Sequence, residues 1–396
     1  MFIFCADVFP KELRIALSIS NSAQRMANYA LISDFEAAYP DINVSVTAFT
    51  SEVYKEKFPT FLANKHFDVL YWHAGERLFE YIKQGEVTAI TELYHQNALL
   101  EVFDQSVVRS VSLQAEIYAL PMSYYQIGFY YNTALFTKLG IEAPNTWTEF
   151  LEVCAALKKN NVPPIFIGSK SNWPATAWFD YLNLRINGLY YHQQLLRGET
   201  SFLEPKVRDV FTKLKTLIEA GYFISDHQQY DWKQGIAPLF RGMTGMVMFG
   251  NYAIQDFPQA KSTEIGFFKF PLFDGKQDEY FEEVPLDVLL IPSISDKKQL
   301  AETFLKFASK SENQQRFNQT LGIISPNKFA QVNNSELVQK AYDVIANSSG
   351  ISQFFDRDAK SEFAEKTMPI IDAFLSKPDI ESTLIQLEKV RFEVFP

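Results

Sequence analysis

Two hydrophobic periods alternate along most of this 396-residue chain. Residues Asn21–Tyr39 carry Met26, Ala30, Leu31, Phe35 and Ala38 at helical spacing, and Pro40-Asp41 ends the run. Ile42–Ala48 then switches to strict alternation, with Ile42, Val44, Val46 and Ala48 apolar and Asn43, Ser45 and Thr47 polar, as in a half-buried strand. Phe67–Trp72 is a compact apolar strand. It runs through the turn Trp72-His73-Ala74-Gly75 into a short helix. Thr146-Trp147-Thr148-Glu149 has capping-box spacing and opens a helix over Trp147–Asn160. Ile165–Gly168 reads as the next strand. Val207, Val210, Phe211, Leu214, Leu217 and Ile218 form a helical stripe, with Gly221 at its cap. Met246–Phe249 and Leu286–Ile291 read as buried strands, and beyond Gln299 the pattern is helical except for Leu321–Asn327. This order predicts an α/β fold with a mostly parallel sheet architecture and a helical C-terminal tail.

Ligands in such folds bind at the carboxyl ends of strands. The Trp72-His73 turn therefore puts an indole and an imidazole where a ligand is expected. A sugar has an apolar ring face and a polar rim, which suits an aromatic beside hydrogen-bonding groups. On this stretch alone, a core role for Trp72 is an equal alternative. The same pairing recurs after later strands, in Tyr124-Tyr125-Gln126, Trp173-Pro174, Asp231-Trp232 and Asn251-Tyr252.

Composition narrows the picture. Net charge is −10 and no basic run occurs, so neither nucleic acid nor an anionic membrane is an expected partner. No apolar stretch approaches the roughly 20 residues of a spanning helix. Aromatics reach 15%, with 36 Phe and 19 Tyr, enough to fill a large core and still line a groove. Cys5 and Cys154 support neither a disulfide framework nor a zinc site, and Cys154 reads as a small apolar core residue. Met1-Phe2-Ile3-Phe4-Cys5-Ala6-Asp7 looks like the end of a secretory signal, with 1–10 as its remnant and a lipid-anchored Cys5 as a weaker option.

Enzyme signatures are sparse. Gly242-Met243-Thr244-Gly245 lacks the length and the Lys-Ser/Thr of a phosphate loop, no G-x-S-x-G occurs, and His66, His73, His95, His192 and His227 include no zinc-type pair. No cofactor, metal or catalytic residue is expected. Asp180, Glu282, Glu283 and Asp287 are the carboxylates from which a glycosidase pair could come.

Several motifs in order carry a family resemblance: Phe35-Glu36-x-x-Tyr39-Pro40-Asp41-Ile42, Asp68–Gly75 with Gly85, Tyr118-Ala119-Leu120-Pro121 with Tyr130-Tyr131-Asn132, and Pro144-x-Thr146-Trp147-x-Glu149-Phe150. Gly242–Met246, Gly250-Asn251-Tyr252, Asp287–Pro292 with Ala301–Phe307, and Phe355-Asp356-Arg357-Asp358 with Leu387-Glu388-x-x-Arg391 continue the series. The chain resembles family 1 of the extracellular solute-binding proteins, the maltose-binding-protein-like sugar-binding subunits of bacterial ABC importers. The resemblance implies a periplasmic-binding-protein-like type II fold, with two α/β lobes joined by a hinge and closing on ligand. Lobe 1 is expected at 11–120 plus 253–310 and lobe 2 at 121–252 plus 311–396. It implies Trp72 and His73 on one lobe's rim and Trp173, Trp232, Asn251 and Tyr252 mainly on the other. Tyr124 and Tyr125 follow the first crossing, and Asp287 accepts from sugar hydroxyls. Trp147 is read as structural. Arg357 either reaches the cleft or pairs with Asp356 or Asp358, the structural reading being favoured.

The implied function is sugar capture for an ABC permease by a periplasmic or otherwise extracytoplasmic, monomeric protein, with membrane tethering open. A polysaccharide-processing enzyme on the same fold and a sugar sensor for a membrane receptor are the alternatives.

Overall fold

The computed structural model describes residues 11–258, 263–275, 279–332 and 335–395. The expected signal remnant and Cys5 lie outside them. In chain order the strands are β1 (Lys11–Ser18), β2 (Ile42–Phe49), β3 (Val69–His73), β4 (Ser112–Leu113), β5 (Glu116–Ile117), β6 (Ala119–Tyr124) and β7 (Ile127–Asn132). They continue with β8 (Ile165–Phe166), β9 (Met246–Gly250), β10 (Ile265–Phe268), β11 (Phe281–Glu283), β12 (Leu286–Leu290) and β13 (Gly350–Ser352).

The chain divides into two compact units. Among the described residues, one holds 11–124 and 286–332, and the other holds the rest from 125 to 285 and from 335 onward. These boundaries differ from the expected ones, for reasons of strand pairing. Residues 253–285, expected in the first lobe, carry β10, which pairs antiparallel with β7, and β11, which pairs parallel with β13. Both partners belong to unit 2. Residues 121–124 stay in unit 1 because β6 pairs with β12. The helix Ser311–Leu321, expected in lobe 2, binds the same strand: Gln314 Nε2 donates to the Pro121 carbonyl at 2.7 Å and Asn318 Nδ2 to that of Met122 at 2.9 Å.

Unit 1 is built on a sheet of order β2-β1-β3-β12-β6. The β1–β2 and β1–β3 pairs are parallel, whereas β12 runs antiparallel to both β3 and β6. The sheet is thus mixed, because β12 is supplied by the returning chain rather than by a local crossover helix. The alternation of Ile42–Ala48 holds in β2. The helix Ser22–Ala38 also forms, with Asn21 as its cap, but it buries Ala27, Leu31, Ile32 and Phe35 and leaves Met26 exposed. Phe35 meets Phe304 and Phe307 edge-on. Beneath the sheet, Asp68 accepts from the Arg14 backbone at 3.0 Å, from its guanidinium at 2.8 and 2.9 Å, and from Ser295 at 2.9 Å. Burial opposes the charge on Asp68, but these donors outweigh it and hold the carboxyl below its usual range.

Unit 2 carries the sheet β10-β7-β9-β8, in which only β8–β9 is parallel. The expected capping box is present: Thr146 Oγ1 accepts from Glu149 N, and Glu149 accepts from Thr146 N, at the start of the helix Trp147–Lys159. Much of the aromatic surplus is core filler here. Phe129 packs on Phe150, Trp178, Phe268 and Phe270, and Tyr181 stacks on Phe270 at 4.8 Å. Trp147 lies against Phe150 and Phe273, in a structural role. Cys154 is buried, and burial pushes its thiol well up. The helices Glu336–Ala346, Ser361–Ser376 and Ile380–Val394 complete the unit. Among the described residues no helix is long and apolar enough to cross a membrane.

Candidate functional site

In unit 1, three neighbouring strands bring polar groups into one row. Register pairs Asp287 of β12 with His73 of β3 on one side and with Ser123 of β6 on the other. Directly opposed residues in a sheet point to the same face, so His73, Asp287 and Ser123 share one. The β6–β12 register slips between Asp287 and Val288, a bulge beside the row. Asp287 is half-buried, whereas His73 and Ser123 are buried. Tyr124 ends β6. Its backbone exchanges hydrogen bonds with Ile324 at 3.0 and 3.2 Å, which fixes the strand where the chain leaves this unit.

Trp72 is not in that row. Its indole lies against the His73 ring, with centroids 5.2 Å apart and planes 27° from parallel. It also stacks on Phe58 with ring centroids 3.5 Å apart and planes 6° from parallel, and Nε1 donates to the Arg77 carbonyl at 3.2 Å. The indole is 4% exposed, and both its face and its donor are taken up by packing.

In unit 2, Tyr125, Tyr252 and Trp232 form a chain of edge-to-face rings. Tyr125 meets Tyr252 at 5.0 Å and 87°, and Tyr252 meets Trp232 at 5.1 Å and 83°. Each contact leaves the ring faces at right angles to one another, the preferred quadrupolar arrangement. Trp232 and Tyr252 are half-buried. Two glycines make the arrangement possible. A Cβ on Gly168 would fall 2.4 Å from the Asp231 carbonyl oxygen, and one on Gly250 would fall 2.3 Å from the Tyr252 ring. Asp231 caps the turn Trp232–Gly235 by accepting from Lys233 N, which fixes the entry of Trp232. Against Trp232 lies a cavity of about 10 Å³, lined also by Phe166, Gly168, Pro174, Trp178 and Phe249; it has room for about one water molecule and none for a sugar.

Arg357 closes the other end of the cluster. Its Nη2 donates to Tyr125 Oη at 2.7 Å, and its guanidinium lies 5.7 Å from the Tyr125 ring centroid and 5.9 Å from that of Phe354. Phe354 also meets Trp173 at 5.5 Å, which links Trp173 to Tyr125 through a single ring. Asn251 has a different task. Its backbone N–H donates to the Gln126 carbonyl and its Oδ1 accepts from Gln126 N, each at 3.1 Å, so it clasps the chain beside Tyr125. Its Nδ2 is buried with no hydrogen-bond partner among the described residues.

The structure thus groups Tyr125, Trp232, Tyr252 and, through Phe354, Trp173 in unit 2. It groups His73 and Asp287 in unit 1, with Tyr124 at the neighbouring strand end. Trp72 and Asn251 serve packing and backbone closure. Ser123, Phe354 and the Tyr125-facing role of Arg357 were not foreseen. The signal for Arg357 is an arginine two residues after the apolar pair Phe354-Phe355, obscured by its immediate neighbours Asp356 and Asp358.

Of the carboxylates considered for hydrolysis, three are buried in unit 2. Glu282 pairs with Arg185 at 2.5 Å and accepts from Tyr181 at 2.9 Å and from Gln126 at 3.1 Å. Asp180 and Glu283 are fully buried. No group of His, Cys, Asp and Glu among the described residues could hold a metal ion.

Residues 20–315 match the family of bacterial extracellular solute-binding proteins, and the chain belongs to that family. An ABC transporter extracellular-binding protein of Pyrococcus horikoshii is 25% identical over 84% of this chain and 75% of the relative. A multiple sugar-binding protein of Streptococcus mutans is 21% identical over 78% of this chain and 74% of its own length. Among solved structures, the bacterial solute receptor AcbH, described as exclusively preferring β-D-galactopyranose, superimposes with a TM-score of 0.90 at 22% identity, covering 98% of this chain and all of the receptor. Maltose-bound MalE3 of T. maritima gives 0.76 at 16% identity, over 97% of this chain and 100% of that one. The mixed α/β fold is that of the periplasmic-binding-protein-like solute receptors.

Proposed function

We propose that this chain is the sugar-binding subunit of an ABC importer, capturing a carbohydrate outside the cytoplasm and handing it to a membrane permease. The observation that carries the sugar reading is the Tyr125–Tyr252–Trp232 ring chain in unit 2, with half-buried Trp232 and Tyr252. Stacked aromatics hold a pyranose by its apolar C–H face, and the fixed hydroxyl of Tyr125 adds direction. Trp173 extends the aromatic surface through Phe354. In unit 1, Asp287 is proposed to accept from sugar hydroxyls, and His73, beside it in the register, to supply a further hydrogen bond. Tyr124 holds the strand end from which these groups are presented.

The chain binds without transforming its ligand, acts as a monomer and needs no cofactor. Its likeness to a multiple sugar-binding protein supports a sugar, and its likeness to a receptor for β-D-galactopyranose supports a neutral one. A thermal-shift screen against neutral sugars, uronic acids and amino acids tests this reading. A neutral mono- or oligosaccharide is expected to raise the melting temperature and to be recovered intact. A shift with amino acids alone contradicts the sugar class, and turnover of the sugar contradicts the binding role.

A further inference from the structure

The helix Trp173–Leu196 breaks at Gly188, where φ is 81° and ψ 170°. Asp180 and His192 are twelve positions apart, a separation of about 18 Å in a straight helix. The break folds the second part back, so that His192 Nε2 lies 3.8 Å from Asp180 Oδ1. Asn183 Nδ2 is 2.9 Å from His192 Nδ1, which places the ring proton on Nε2, facing Asp180 but beyond hydrogen-bond reach. His192 is fully buried and burial holds it neutral.

Across from this corner, β11 presents Glu283. Asp180 and Glu283 both have no solvent exposure. The helix turn that carries Asp180 is bonded to β11 through Tyr181 and Arg185, which both donate to Glu282, and the Asp180 and Glu283 carboxyls act on one another's charge. Asp180 Oδ2 accepts from the Phe355 backbone N–H at 2.9 Å. Asp180 Oδ1 and both Glu283 oxygens reach no N–H or hydroxyl donor among the described residues. The neighbouring charges that act most strongly on the pair are negative. Arg185 is committed to Glu282, the next residue on β11, and Asp356 and Asp358 on the turn Phe355–Asp358 add negative potential. Tyr181 and Tyr252, the phenols that feel Glu283, hold their protons. Arg357 on the same turn is directed to Tyr125. Two neighbouring ionised carboxylates, undersupplied with donors and out of water, are not a stable arrangement.

We propose that Asp180 and Glu283 bind a proton between them at neutral pH, and that this carboxylic acid–carboxylate bond ties the kinked helix to β11 and, through Phe355, to the turn that presents Arg357 to Tyr125. The protonated oxygen donates to the facing carboxylate; the proton belongs to the pair rather than to either residue. Its loss to water leaves two neighbouring buried anions and loosens the turn at Phe355. This inference does not depend on the sugar reading, since it concerns the protein alone. Because the folded pair retains a proton that the unfolded chain releases above the ordinary carboxyl range, its contribution to stability is full at acid pH. That contribution is lost as pH rises through the titration of the folded pair.

Carboxyl-carbon NMR of the full chain labelled at Asp and Glu reads the proton directly. Protonated-type carboxyl resonances are expected at neutral pH and are expected to be absent from Asp180→Asn and Glu283→Gln. In parallel, the melting temperature of the wild type is expected to fall between neutral pH and about pH 10 by several degrees more than that of Glu283→Gln, whose amide donates without titrating. If every carboxyl resonance of the wild type is in the ionised range at neutral pH, the proposal is overturned; this holds even if neither variant folds. Identical pH slopes for wild type and a folded Glu283→Gln overturn it as well.

Discussion

Arg357 Nη2 donates to the Tyr125 hydroxyl at 2.7 Å, with the guanidinium set over the Tyr125 and Phe354 rings. An arginine has no acceptor, so in this pair the Tyr125 oxygen accepts and its own proton is the one it donates elsewhere. The pair orders both the ring and the direction of its hydroxyl.

This coupling is measurable. Arg357→Gln and Tyr125→Phe are each expected to destabilise the protein by about 1.5–3 kcal/mol, the cost of breaking a buried hydrogen bond to a charged group. The double variant is expected to lose about 0.5–3 kcal/mol less than the sum of the two. Urea unfolding of the four proteins checks this, and strict additivity would show the contact to carry no energy.

Trp72 and Trp232 are expected to part company under mutation. Trp72→Ala removes a ring stacked on Phe58 and 4% exposed, a cavity-forming change that costs about 3–5 kcal/mol. Ligand affinity of the protein that remains folded stays within about threefold, a difference of about 0.7 kcal/mol. Denaturant unfolding paired with sugar titration reads both quantities.

His192 sets a pH dependence of opposite sign to that of the carboxyl pair. Burial lowers its pKa from the ordinary 6.5 to about 3. A histidine held neutral in the folded state contributes stability that is present above pH 6.5 and is lost as pH falls toward about 3, a loss on the order of 4 kcal/mol. His192→Gln is expected to be less stable than the wild type at neutral pH and to lose less on acidification. Unfolding midpoints at neutral pH and at about pH 4 test the sign; a steeper acid loss in the variant would contradict it.

Local signals were legible wherever neighbours in sequence decide the outcome. The Thr146–Glu149 capping box and the alternation of β2 are both present as read. The helix after Asn21 formed too, and its buried stripe keeps Leu31 and Phe35 but takes Ala27 and Ile32 in place of Met26, Ala30 and Ala38, with Phe35 packed on Phe304 and Phe307. Long-range pairing was less visible. Nothing local to Leu286–Leu290 says that it runs antiparallel between β3 and β6, and that pairing alone aligns Asp287 with His73. For the same reason Trp72 was legible as a strand residue while its packing against Phe58 and His73 was not. The aromatics of unit 2 were named by position, whereas their joining by Arg357 and Phe354 depends on a turn some 230 residues away from Tyr125 in sequence.

Sugar binding by the unit 2 aromatics rests above all on Trp232. Isothermal titration of wild type and Trp232→Ala with the sugar selected by thermal shift is expected to show an affinity loss of about 30-fold or more, equivalent to about 2 kcal/mol. The melting temperature of the ligand-free variant is expected to stay close to that of the wild type, since the indole is half-buried. Unchanged affinity together with a large loss of ligand-free stability would make Trp232 a packing residue rather than a sugar contact.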